Sequence, residues 1–328
     1  MPKRLWCGAL VFVSLCMILC SFSAFAKQEE FSSCRSLALG SGGDRGSFEI
    51  GVLKYLVEKR PLEETQYRVV TGNSAGAINA VAFSQFQIGQ EVKAVQYLLN
   101  EWSSLKSDLI YQNWKPFGIV QGFFLKTSLF DSSPLESYLS KHLNWTQLQK
   151  SDRFWKVGAT DLSTFSYREF TSENHLNFDQ IVTAVRASSA IPGIFSAVSI
   201  DNSLYVDGGV RYVTPITDAI EKCKNLTSGS VVVDVLLAIN SVPFPKVFDF
   251  HTTPFILLET MFGSMMDIVL RDLESARLAY KDDPLVEIRA FIPNEWLPGY
   301  FIGFDKQQME YMIEKGYETA KKFFEKKN

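Results

Sequence analysis

From residue 35 onward, short apolar runs alternate with longer amphipathic ones. "RSLALG" (35–40), "YRVV" (67–70), "FWKVGAT" (154–160), "SYREFT" (166–171), "SLYVD" (203–207) and "VVVDVLLAI" (231–239) have the length and the β-branched or aromatic content of strands. "FEIGVLKYLVEK" (48–59) and "DQIVTAVRASSA" (179–190) have helical spacing, "AGAINAVAFSQF" (75–86) reads as a helix buried all round, and "DKQQMEYMIEKGYETAKKFFEK" (305–326) as a closing amphipathic helix. Strands separated by helix-length segments predict an α/β fold with a central, mostly parallel sheet flanked by helices. Two regions break the alternation: 100–150, rich in Trp, Phe and Tyr, and 241–304, with "FPKVFDF" and "PFILLETMFGSMMDIVL". Both read as insertions over the sheet that supply an apolar trough or an interfacial surface, so the helical part over 241–328 is expected to face lipid.

The N-terminus follows a different logic. Lys3 and Arg4 precede an apolar stretch from Leu5 to Phe25 that ends in Ala24-Phe25-Ala26, the pattern of a signal peptide over 1–26. Leu19 stands where a lipoprotein cleavage before Cys20 would want a small residue. No repeat, low-complexity block or Pro/Gly/Ser-rich linker divides the remainder, so 27–328 is read as one domain. Export implies a secreted or periplasmic protein, peripherally membrane-associated when acting. Cleavage removes Cys7, Cys16 and Cys20 and leaves Cys34 and Cys223, whose spacing does not decide between one bridge and two buried thiols. Asn144-Trp145-Thr146 and Asn225-Leu226-Thr227 are glycosylation sequons, relevant only in a eukaryotic secretory pathway.

Charge then narrows the classes. The formal charge is −3, and −5 without Lys3 and Arg4, which leaves no basic footprint for a nucleic-acid partner. No Cys/His cluster has zinc spacing, so no metal is expected.

Candidate chemistry centres on Gly72-Asn73-Ser74-Ala75-Gly76. A G-x-S-x-G between a strand and a helix is a nucleophile elbow: the turn lifts the serine oxygen clear of the sheet, and the helix N-terminus favours an oxyanion. A second glycine turn, "LALGSGGDRGSFEIGVL" (37–53), has Gly40, Gly42 and Gly46 spaced as if for a dinucleotide. Glu63 and Glu64 precede the next strand instead of following it, so the ribose partner is missing. The same amides suit an oxyanion.

Three histidines are available as a base. His251 satisfies the chain order of a Ser-acid-His triad, while His142 and His175 fall at a polar helix end and a turn. Asp207 in "LYVDGG" is the better candidate, since it ends a strand and Gly208 and Gly209 allow a sharp turn that holds its carboxylate at the sheet edge. Asp161 in "GATDLS" also follows a strand but lacks that turn. Partial burial would raise a carboxyl toward the working range of a base.

Taken in order over about 35–218, "GSGGDRG", "GNSAG", "AVRASSAIPGIF" and "YVDGGVRYVTPI" resemble the patatin-like phospholipase family, and "GFDKQQMEYMIEKGYETA" resembles how its bacterial members end. The resemblance implies a patatin-like three-layer fold and a cofactor-free, metal-independent acyl hydrolase. It implies Ser74 as nucleophile, Asp207 as general base, Gly42 and Gly43 as oxyanion donors and Arg45 as support for their loop. Ser41 replaces the first glycine of the family's turn, and Val213 stands two residues before Pro215 where many members carry Asn. The implied substrate is a phospholipid or other acyl lipid at a membrane surface. Two alternatives stand beside it: an esterase using His251, and an inactive lipid-binding module. Whether a protein activator is needed stays open.

Overall fold

In the computed structural model the described residues are 31–239, 253–298 and 301–326, apart from the side chains of 253–255, 257–259 and 262. The strands are β1 (Ser33–Leu39), β2 (Val69–Gly72), β3 (Phe154–Asp161), β4 (Tyr167–Thr171), β5 (Val198–Ile200), β6 (Ser203–Asp207), β7 (Ser230–Leu236) and β8 (Val286–Phe291). The helices are α1 (Gly46–Lys59), α2 (Ala75–Ser84), α3 (Glu91–Ser104), α4 (Ser107–Ile110), α5 (Gly118–Leu125), α6 (Ser133–His142), α7 (Trp145–Lys150), α8 (Phe178–Ser188), α9 (Ile216–Lys224), α10 (Thr253–Ala279) and α11 (Lys306–Glu325).

The strands make one sheet in the order β5-β6-β3-β2-β1-β7-β8, with β4 beside β3. β3, β2, β1, β7 and β8 run parallel, whereas β4, β5 and β6 bring antiparallel pairing to one side. Both faces of β1 are buried, so its side chains alternate between two cores. Leu37 and Leu39 pack with α1, α2 and α3, while Cys34 and Ala38 pack with α9 and α10. The result is the three-layer α/β/α arrangement expected from the alternating pattern.

One detail of register positions the functional site. Val157 pairs with Gly72 of β2 and with Phe170 of β4; Ala159 pairs with Asp207 of β6 and with Arg168 of β4. A strand has two edges, so β4 occupies one edge of β3 while β2 and β6 share the other. β2 runs parallel to β3 and β6 antiparallel, so their C-terminal ends point at each other across the width of Gly158.

Several elements differ from the sequence reading. Residues 241–304 are not wholly an insertion: β8 is the sheet's edge strand. Its "VEIRAF" carries Glu287 and Arg289 and so lacks an apolar run. Arg289 secures it by a fork onto buried Asp234 of β7, Nε to Oδ1 at 2.5 Å and Nη2 to Oδ2 at 2.7 Å, and the Tyr67 hydroxyl donates to the same carboxylate at 2.6 Å. The strand over 67–70 begins later, at Val69, because the Tyr67 amide is spent in a turn on Thr65 O at 3.0 Å. Helices α3 and α9 and the short β5 were not expected. From Met265 onward, α10 turns Met265, Val269, Leu273 and Ala276 inward on one stripe. No helix among the described residues is long and apolar enough to cross a membrane.

Cys34 and Cys223 form a disulfide that ties β1 to α9 across 189 residues of sequence. Replacing both with Ala is expected to lower unfolding free energy by about 2–4 kcal/mol, measured by denaturant titration. Reductant should produce the same loss in the parent protein and none in the variant.

Candidate active site

Ser74 sits between β2 and α2 with φ 55° and ψ −125°, a strained conformation for a residue with a side chain. The flanking glycines make the turn tight enough. A Cβ on Gly72 would lie 2.1 Å from the Gly76 carbonyl oxygen, and one on Gly76 would lie 2.5 Å from that of Leu39. The strained residue is gripped from both sides by the end of α8: its amide donates to Ser188 Oγ at 3.1 Å, and its carbonyl accepts from Ser189 Oγ at 3.1 Å. Sequence reasoning quoted this "ASSA" run without a role for it. Two adjacent serines closing an apolar helix were the available signal.

Asp207 arrives from the opposite direction, at the end of β6. Its amide donates to Ala190 O at 2.9 Å, its carbonyl accepts from Thr160 Oγ1 at 3.1 Å, and its Oδ1 accepts from the Gly209 amide at 2.8 Å. Oδ2 is buried and has no hydrogen-bond partner among the described residues. Burial pushes the carboxyl up to about 7; the Ser74 hydroxyl and the Gly209 amide oppose the rise. The Ser74 hydroxyl is thus close enough to act on the carboxyl without a formed hydrogen bond to Oδ2, the loose geometry common in unliganded sites.

Asn73 fastens the two halves together. Its Oδ1 accepts from the Gly158 amide at 3.0 Å and the Tyr167 hydroxyl at 2.8 Å, and its Nδ2 donates to Tyr212 O beyond the Asp207 turn. Gly208 packs against Gly158 O and the Asn73 side chain, and Gly209 against Ser41 Oγ, too closely for any side chain.

The second glycine turn lies alongside. Gly42 precedes a single 3-10 turn over Gly43–Arg45 that leads into α1 at Gly46. Gly43 has φ +58°, and a Cβ there would lie 2.0 Å from Phe301 O, so only glycine fits. Among the described residues no acceptor receives the amides of Gly42 or Gly43, whereas those of Gly40, Ser41, Asp44 and Arg45 are all spent on backbone carbonyls. The Arg45 guanidinium is sandwiched between the Trp296 and Phe301 rings, 4.1 Å from each centroid, which secures the turn from behind. Asp44 Oδ2 accepts from the Gly303 amide at 3.1 Å and Gln308 Nε2 at 2.8 Å, and burial pushes its carboxyl up to about 7.

Glu49 of α1 was not singled out by sequence. It is fully buried, accepts from the Gly40 amide at 2.7 Å and from Asn79 Nδ2 at 2.8 Å, and burial pushes it up to about 8. Asn79 also donates to Gly46 O and accepts from Trp102 Nε1 at 2.7 Å, so one buried network joins the glycine turn to α2 and α3. A lone amide in "AGAINAVAF" was the available clue. The two departures from the family pattern meet each other: Ser41 donates both its amide, at 3.0 Å, and its hydroxyl, at 3.3 Å, to Val213 O. Asp272 of α10 in turn accepts from the Val213 and Thr214 amides.

A narrow slot leads away from Ser74 and Gly43 between α2, α3 and α6, with Ile78, Leu98, Trp102 and Leu139 along its apolar walls. About 60 Å³ of it admits the centre of a water-sized sphere, several times what one water requires. The aromatic region 100–150 therefore does supply a trough. His142 lines its far end: the following Asn144 amide donates to Gln85 Oε1 just beyond α2, roughly 15 Å along the helix from Ser74. There His142 Nδ1 lies 2.7 Å from Glu101 Oε2 and its ring stacks on Tyr138. Asp161 caps its own turn, accepting from Ser163 and Thr164, and lies apart from the elbow. His175 ends a 3-10 turn on the surface, and His251 and residues 1–26 fall outside the described residues. Among the described residues no three His, Cys, Asp or Glu side chains converge as metal ligands.

The calcium-independent phospholipase A2-gamma of Rattus norvegicus is 27% identical over 213 residues, 58% of this chain and 26% of that protein. Its Homo sapiens counterpart is 26% identical over 215 residues with the same coverage. The chain spans about a quarter of the length of these curated relatives. The crystal structure of VipD from Legionella pneumophila overlays with a TM-score of 0.41 and 12% identity, covering 90% of this chain and 67% of that one. The patatin-like phospholipase profile matches residues 37–220, over the second glycine turn, the elbow and Asp207, and the chain belongs to that family.

Proposed function

We propose that this protein is an exported serine acyl hydrolase that cleaves fatty-acyl esters of membrane lipids. The observation that carries the reading is the meeting of a strained Ser74 on the wall of one apolar slot, a buried Asp207 whose Oδ2 has no hydrogen-bond partner among the described residues, and the Gly42 and Gly43 amides, which have no acceptor among them. Ser74 Oγ attacks the ester carbonyl carbon while Asp207 Oδ2 takes its proton. The carbonyl oxygen, now an oxyanion, is received by the Gly42 and Gly43 amides and the N-terminal dipole of α2. The leaving alcohol departs with the proton from Asp207 and the acyl group stays on Ser74. Asp207 then takes a proton from water, whose oxygen attacks the acyl carbon, and returns that proton to Ser74 Oγ as the ester bond breaks and the fatty acid leaves. The slot receives the acyl chain and leaves the head group at the surface. The Cys34–Cys223 bridge supports an oxidising compartment outside the cytosol.

Labelling with a serine-reactive fluorophosphonate is expected to be lost in Ser74→Ala and Asp207→Asn and retained in His251→Ala. Ester turnover should fall by more than about 10³-fold in the first two. Unlabelled parent protein, or loss of labelling in His251→Ala, would overturn the dyad.

Catalysis needs Asp207 as a carboxylate, and burial holds its pKa at about 7, so kcat/KM is expected to rise with pH and level off above about 7. Stability has the opposite sign. The folded state keeps this proton to higher pH than the unfolded chain, so the group's contribution to stability is present below the ordinary aspartate range and is lost as pH rises through about 7. Asp207→Asn should therefore gain melting temperature relative to the parent between pH 5 and pH 8, values set by that titration.

Leu139→Phe should narrow the slot and depress turnover of long acyl chains at least about tenfold while sparing short ones, read from a chain-length series of p-nitrophenyl esters. Equal loss across the series would remove the acyl chain from the slot.

A further inference from the structure

Residues 112–131 form a hairpin whose base packs behind the active-site wall. Gln112 and Asp131 exchange backbone hydrogen bonds at 2.8 and 3.0 Å, and the Leu129 and Phe130 amides donate to Gly193 O and Ile194 O. The segment that receives them supplies Ile191 and Phe195 to the slot, and the Tyr111 ring packs on both Phe130 and Phe195. The hairpin's tip is α5. Its glycine side faces down, where Gly122 rests on the carbonyl oxygens of Ser128 and Leu129.

The other side carries no polar cover. Ile119, Val120, Phe123 and Phe124, with Phe117 just before the helix, fall on an arc of about 160° at about 100° per residue. Together with Leu125 they are 51–75% exposed. Apolar side chains this exposed, in one contiguous patch, mark an interaction surface. The charges around it specify the partner. Exposed Lys115 and Lys126 stand at its two ends, no acidic residue lies between them, and Lys126 Nζ sits 4.8 Å above the Trp114 ring. An apolar wedge with a lysine at each margin and an indole at its base matches the boundary between acyl chains and anionic head groups.

We propose that α5 is the element that docks this protein on a phospholipid bilayer, inserting Phe117, Ile119, Val120, Phe123, Phe124 and Leu125 below the head groups while Lys115 and Lys126 meet anionic phosphates. This rests on the acyl-lipid reading above. It adds that the hairpin base brings the slot down to the membrane, so that a lipid passes from bilayer to Ser74 beside Ile191 and Phe195.

The test pairs vesicle binding with a membrane-free assay. The mature protein and a Phe123→Ser, Phe124→Ser, Leu125→Ser variant are sedimented with phosphatidylcholine vesicles, with and without phosphatidylserine, and both are assayed on soluble p-nitrophenyl butyrate. The parent should bind, more strongly with phosphatidylserine, and the variant at least about tenfold more weakly, with soluble-ester turnover within about twofold of the parent. Lys115→Glu with Lys126→Glu should lose the phosphatidylserine preference, which keeps the test open if the triple variant does not fold. Parent protein that ignores vesicles, or a folded triple variant that binds them equally, overturns the proposal. So does a parent that is a dimer and becomes a monomer in the variant with vesicle binding unchanged, which would assign α5 to a second copy. Vesicle binding that depends on α5 in a protein with no ester turnover and no fluorophosphonate labelling would sustain the docking and sink the hydrolase reading alone.

Discussion

The head-on approach of β2 and β6 along one edge of β3 is the constraint on which the rest of this structure depends. Parallel pairing brings one chain end to Val157 and antiparallel pairing brings the other to Ala159, so a serine two residues past β2 and an aspartate closing β6 meet over Gly158. A dyad built this way needs no loop to place either member. It does need a fastening between two chain ends that share no ladder bonds, and Asn73 provides one by holding Gly158, Tyr167 and Tyr212 at once. The narrow space excludes side chains at Gly208 for the same reason.

Around this junction the protein buries several acids. Glu49, Asp44 and Asp207 are raised by desolvation to about 8, 7 and 7, and each holds a backbone amide in or near a glycine turn. These carboxyls fix backbone amides of glycines, which have no side chain of their own to anchor them, and burial holds the accepted hydrogen bonds in a low-dielectric setting. Their cost is a folded state that protonates more readily than the unfolded chain. The polar side of the site is held by these hydrogen bonds, whereas its apolar side is a slot walled by side chains of α2, α3 and α6 with Ile191 and Phe195.

Much of this was legible before any coordinates. The elbow "GNSAG" and the turn "GSGGDRG" announce themselves because close backbone approach leaves glycine as the only solution, and Asp207 stands out because "DGG" ends a clean strand. Ser188 and Ser189, Glu49 and Asn79 were harder, because their partners on other elements are set by the packing of the fold. β8 was missed because, as an edge strand, it carries Glu287 and Arg289 in place of an apolar run, and Arg289 pairs with Asp234. Asp161 also ends a strand but lacks the glycine turn that follows Asp207, and the structure uses it to cap its own turn while the sheet register carries Asp207 to the elbow.

The amino-acid sequence by itself determined what short-range sterics and periodicity control: the alternation of strands and helices, the strained serine, the glycine turns and the aromatic character of 100–150. The tertiary structure decided everything that depends on which distant atoms become neighbours. It paired Cys34 with Cys223, brought Asp207 rather than Asp161 to the elbow, buried Oδ2 of that aspartate with no hydrogen-bond partner among the described residues, and divided the aromatic region into a buried slot wall and an exposed wedge. Burial and register are properties of the assembled sheet, and no window of sequence contains them.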